Sequence, residues 1–82
     1  MATKQFTITN KDWYILTDLT DNSGYYIQSQ SPEGVIWYTQ SSEAPTENVG
    51  VKDYWHKFVK RPGENVYLRV INPPINIHME EI

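Results

Sequence analysis

At 82 residues the chain has room for one domain (1–82), and a chain of this size buries so modest a share of its surface that the core is thin. It has no cysteine, which excludes disulfides and cysteine-based metal sites and leaves association with copies of itself or a larger partner as the common reinforcement. Seven Lys and Arg against ten Asp and Glu argue against a protein devoted to nucleic acid; without an apolar run of leader or membrane-span length, no membrane partner and a soluble product made in the cytosol are expected.

Residues 1–5 read as a flexible amino-terminal arm. Gln5-Phe6-Thr7-Ile8-Thr9 alternates polar and apolar residues, as a half-buried strand does, with Phe6 and Ile8 facing inward. Trp13-Tyr14-Ile15-Leu16-Thr17 is apolar on both faces and predicts a strand covered on both sides. The Asp, Asn, Ser and Gly residues of 18–24 predict a turn. Two further strands, Gly24 to Gln30 and Val35 to Gln40, flank the turn Ser31-Pro32-Glu33-Gly34 and are expected to form a hairpin.

Between residues 41 and 53 the pattern lapses into a polar loop carrying Pro45, Asn48 and Gly50, a length that is often functional in small domains. Tyr54 to Lys60 and Val66 to Ile71 then flank the turn Arg61-Pro62-Gly63-Glu64-Asn65 and predict a second hairpin. Asn72-Pro73-Pro74 ends it, and Ile75 to Glu80 resumes strict alternation as a last strand. The starting methionine and this terminal strand are read as the ends of a complete chain. The expected fold class is all-β, a small antiparallel β-sandwich or barrel of about six to seven short strands.

Catalytic chemistry finds no foothold in this pattern. His56 and His78 lie on separate predicted strands with no zinc-ligand spacing, so both read as structural or surface residues. No serine sits in a Gly-x-Ser-x-Gly turn, and no glycine-rich phosphate loop is present. Asp12, Asp18, Asp21 and Asn22 match no calcium loop and are explained as turn formers. The reading is therefore a protein that is not an enzyme and carries no cofactor or metal.

Three Trp, six Tyr and two Phe are a large aromatic supply for such a chain. Trp13, Trp37, Phe58 and some tyrosines are expected in the core. The adjacent pairs Trp13-Tyr14, Tyr25-Tyr26, Trp37-Tyr38 and Tyr54-Trp55 cannot all point inward, because neighbours on a strand face opposite sides. Their outward members suit a protein interface or the stacking of a sugar on, for instance, Tyr25, Tyr38 or Tyr67. Lys52, Lys57, Lys60 and Arg61 gather towards the predicted second hairpin, where they guard strand edges or face the acidic Glu80 and Glu81 of a neighbouring copy.

Several segments taken together resemble small all-β structural proteins of tailed bacteriophages. They are Asp12-Trp13-Tyr14-Ile15-Leu16-Thr17-Asp18, Tyr26-Ile27-Gln28-Ser29, Trp37-Tyr38 with Ser42-Glu43-Ala44-Pro45, and the run from Arg61-Pro62-Gly63-Glu64 through Tyr67-Leu68-Arg69-Val70. The resemblance implies a virion component without catalytic residues, most nearly a capsid cement or decoration protein. Such a protein is made in the host cytoplasm, binds the major capsid protein on the surface of the shell, and associates as a homotrimer. A tail, baseplate or head-fibre component and a carbohydrate-binding module are the alternatives. Exposure arguments place the partner contacts on Lys4, Phe6, Glu43, Pro45, Asn48, Trp55, Lys57 and Arg61.

Overall fold

The structure, a computed structural model, describes residues 3–30 and 34–82. Alternation of apolar and polar side chains with a period of two drives nearly every ordered segment into extended chain. The strands are β1 (Thr3–Ile8), β2 (Tyr14–Leu16), β3 (Gly24–Ser29), β4 (Ile36–Ser41), β5 (Val51–Asp53), β6 (Trp55–Val59), β7 (Asn65–Val70) and β8 (Ile75–Glu81). Among the described residues, eight strands take the place of the expected about six to seven. The additional one, β5, lies in the stretch read as loop, where Val51, Lys52 and Asp53 pair with Tyr38, Trp37 and Ile36.

Two four-stranded sheets result, ordered β1-β8-β3-β6 and β2-β7-β4-β5, and every pairing is antiparallel. We call them sheets A and B. The all-β sandwich is thus confirmed, and its strand order is that of an eight-stranded jelly roll. In that topology the chain crosses from one sheet to the other at almost every connection, and β4–β5 is the exception.

Both expected hairpins are therefore corrected. β3 and β4 belong to different sheets, as do β6 and β7. Tyr25 and Ile27 of β3 and Phe58 of β6 point into the sandwich from sheet A, while Ile36 of β4 and Val66, Leu68 and Val70 of β7 point into it from sheet B. An alternating strand reveals which of its faces is apolar. It does not reveal whether the next strand lies beside it or across from it. Gly63, at a φ of 79°, turns the chain between β6 and β7. The predicted turn at 31–34 lies, apart from Gly34, outside the described residues.

The core is mostly aliphatic: Ile8, Leu16, Ile27, Ile36, Val66, Leu68, Val70, Ile75, Ile77 and Met79, with Tyr25 and Phe58 as its rings. Trp13 and Trp37, expected inside, are only half-buried, and Trp37 stands on the outer face of sheet B beside Arg69 and Lys52. Nor is β2 covered on both sides, since Ile15 is exposed at the edge of its sheet. Of the arm expected over residues 1–5, Thr3, Lys4 and Gln5 are strand residues paired with Glu80, Met79 and His78, and residues 1–2 lie outside the described residues.

Two side chains tie the sheets together along the β4/β6 side. His56 Nε2 donates to the Ile36 carbonyl at 2.8 Å from a buried position. Gln40 donates to the Val59 carbonyl (3.1 Å) and the Tyr38 hydroxyl (2.9 Å) and accepts from the Arg61 amide (2.6 Å). Tyr38 lies between them, stacked on both His56 and Phe58.

Candidate binding surface

Strand register builds two transverse rows on the outer face of sheet A. Gln5, His78, Gln28 and Trp55 stand side by side across β1, β8, β3 and β6, and Thr3, Glu80, Tyr26 and Lys57 form the next row. Each is outward because its chain neighbours, such as Ile27, His56 and Phe58, are buried. Tyr26 and Trp55 make a tilted ring pair with centroids 5.9 Å apart. The Tyr26 hydroxyl donates to Gln28 Oε1 at 3.0 Å, and His78 Nε2 lies 2.9 Å from Glu80 Oε1. The face is a mostly polar platform with aromatic rings at one side.

That side is β6, an edge strand. Trp55 is 49% exposed, Val59 56% and Ile82 62%, so three large apolar side chains meet water there. Ile82 is held beside the sheet by its amide, which donates to the Gly24 carbonyl at 2.8 Å. With no side chain on Gly24, Val59 and Ile82 border a shallow apolar hollow next to Lys57 and Phe58. Edge strands usually carry charge that discourages pairing, and on the outer face of β6 Lys57 alone does so.

The eight residues expected to make contacts do not form one surface. Trp55 and Lys57 lie together on the platform. Phe6 is stacked on Tyr14 at 5.1 Å and packs against the core, with Lys4 Nζ 5.7 Å above its ring. Glu43 and Pro45 lie in the β4–β5 connection, where the Glu43 carbonyl accepts from Ser41 Oγ. Asn48 is turned onto the outer face of sheet B by a hydrogen bond from Arg69. Arg61 is exposed in the β6–β7 turn and ion-paired with Glu64. The basic gathering around 52–61 is also dispersed, since Lys60 bonds Asp21 at 2.8 Å and Lys52 sits over Trp37 on the opposite sheet.

Sequence reasoning passed over Tyr26, Val59 and Ile82 as members of this surface, and took Gln28, His78 and Glu80 singly rather than as one face. Their outward parity was visible, but the pairings that bring four strands into two rows were not. Tyr25 and Tyr67, offered as exposed sugar-stacking rings, are buried. Tyr67 is buried although it alternates with Val66 and Leu68 and so points away from the core.

His56 and His78 face opposite sides of sheet A and cannot share a ligand. Burial pushes the His56 pKa below its ordinary value of 6.5, against the opposing influence of the Ile36 backbone and of Asp53. Among the described residues, no group of three or more His, Asp and Glu is placed to hold a metal ion, and no helix is long and apolar enough to cross a membrane. Comparisons with protein-family models, with curated proteins and with solved structures find no match to this chain.

Proposed function

We propose that this chain is a non-enzymatic structural protein of a tailed-bacteriophage virion, a cement or decoration component that binds the assembled capsid shell through the outer face of sheet A. The observation that carries the reading is the exposed strip of Trp55, Val59 and Ile82 beside Lys57 and Tyr26. Aromatic and apolar anchors framed by polar groups are the usual composition of an interface centre. The molecule measures 30 × 29 × 17 Å, so either broad face is comparable with the ~800 Å² that one partner contributes to a standard interface. Jelly rolls serve as viral capsid domains and as lectins, an analogy of fold that supports a virion role without carrying it.

In this reading the protein adds no chemistry. It binds the assembled shell better than separated major capsid subunits, and that difference stabilises the shell by mass action. Association as a trimer on local three-fold axes supplies the reinforcement that a thin, disulfide-free core lacks. Co-sedimentation with empty shells tests it: saturable binding to shells and little to unassembled subunits is expected. Equal binding to both, or none to either, overturns the cement role, and recovery of the protein with purified tails alone moves it to the tail or baseplate.

The Tyr26–Trp55 pair beside Gln28 also favours a second reading, a carbohydrate-binding module, because rings next to amide donors on one face can stack on a sugar and bond its hydroxyls. Glycan-array binding lost in Trp55→Ala supports this alternative. Silence on the array together with saturable shell binding eliminates it.

A further inference from the structure

A cleft of about 300 Å³ opens on sheet B, on the side of the molecule away from the platform. It is lined by Lys11, Trp37, Asn48, Lys52 and Arg69, with Val70 and Ile71 completing its wall. Three of the seven Lys and Arg of an acidic protein therefore border one small hollow. Among the described residues none has a carboxylate partner: the Lys and Arg ion pairs there are Lys60–Asp21 and Arg61–Glu64.

Arg69 is held rather than loose. Arg69 Nε donates to the Lys11 carbonyl at 2.6 Å and Nη1 to Asn48 Oδ1 at 3.0 Å, while the guanidinium lies 5.9 Å from the Trp13 ring. Those bonds use two of the five guanidinium hydrogens and leave three, including both on Nη2. Because Asn48 accepts through its oxygen, its amide NH₂ is left as a donor. Lys52 Nζ sits 5.7 Å from the Trp37 ring. The free hydrogen-bonding capacity of these side chains is thus nearly all donor, and the charge is positive, so the complementary ligand is an oxyanion.

We propose that this cleft receives a glutamate or aspartate carboxylate from an acidic peptide segment of a partner protein. Charge complementarity calls for the anion, and the wall selects its source. Trp37, Val70 and Ile71 offer apolar surface that the aliphatic stem of an acidic side chain covers, whereas a free phosphate ion, hydrated on every side, gains nothing there. The site lies on the opposite sheet from the platform and stands whether or not the platform binds a shell.

Heteronuclear NMR titration of the intact protein with a capped tri-glutamate peptide, its tri-glutamine counterpart and inorganic phosphate tests the assignment. The glutamate peptide is expected to saturate, moving the Trp37 indole and Asn48 side-chain amide signals, while the glutamine peptide leaves them in place and phosphate binds more weakly. Lys52→Glu, at an exposed position, is expected to weaken the glutamate peptide at least about tenfold by replacing attraction with repulsion while keeping the dispersion of the spectrum. Lys11→Glu provides the same test should Lys52→Glu disturb β5. Phosphate binding as tightly as the peptide overturns the peptide source. Shifts confined to other residues, no saturation, or unchanged affinity in folded variants overturns the site.

Discussion

Single residues show how narrow the tolerances of this sandwich are. Gly50 has a φ of 98°, and a Cβ there would overlap the Tyr38 carbonyl oxygen, whereas Gly63, at a φ of 79°, has open space around it. Both substitutions to Ala incur the left-handed backbone penalty, and only the first adds a collision with backbone. Gly63→Ala is expected to cost about 1–2 kcal/mol and Gly50→Ala on the order of 2–4 kcal/mol, read as shifts in the urea midpoint. His56 gives stability a pH dependence of definite sign. Its folded pKa lies below 6.5, so on acidification the unfolded chain takes up the proton first. The contribution is complete above the unfolded pKa, falls as pH drops below about 6.5, and is fully lost once pH passes the folded pKa. Urea midpoints measured between about pH 7.5 and pH 5 should fall for the protein, and fall less for His56→Gln.

At the scale of the element, β6 is the strand on which fold and proposed function meet. It is an edge strand paired with β3 alone, and its tie to the opposite sheet runs through His56 and Gln40. Gln40→Ala leaves the Val59 carbonyl, the Tyr38 hydroxyl and the Arg61 amide without that partner. A loss of about 1–2 kcal/mol is expected, with amide exchange accelerating in β6 before β8, which is paired on both sides by β1 and β3. What the sequence revealed of such elements was their parity. Ile8, Ile27, Phe58, Leu68 and Ile77 are inward as alternation requires, and Trp55 and Lys57 are outward. Partnership between strands was not legible, because it depends on which apolar faces meet across the core and not on what lies next in the chain. Hence β3–β4 and β6–β7 read as hairpins and are crossings, and β5, only three residues long and exposed throughout, read as loop. Trp13 and Trp37 read as core for a related reason: their size suggests burial, and only the register with Arg69 and Lys52 shows that Trp37 faces outward.

The whole molecule is a slab with two unlike faces. One carries the aromatic and apolar edge of sheet A, the other the cationic cleft of sheet B, so a protein of net charge −3 keeps a positive site without a carboxylate partner among the described residues. In the proposed reading, two opposite faces suit a component that contacts the shell on one side and a second partner on the other. A trimer closed through the platform would bury Trp55 before any shell was met, and light scattering at the mass of three chains together with quenched Trp55 accessibility would show it. The most direct test of the central claim is amide exchange of the protein bound to assembled shells compared with the protein free in solution. The account predicts slowed exchange in β6, in β3 and at Ile82, with Trp55→Ala lowering the bound fraction. Protection confined to the β2 and β5 edges of sheet B, or a bound fraction indifferent to Trp55, would contradict it.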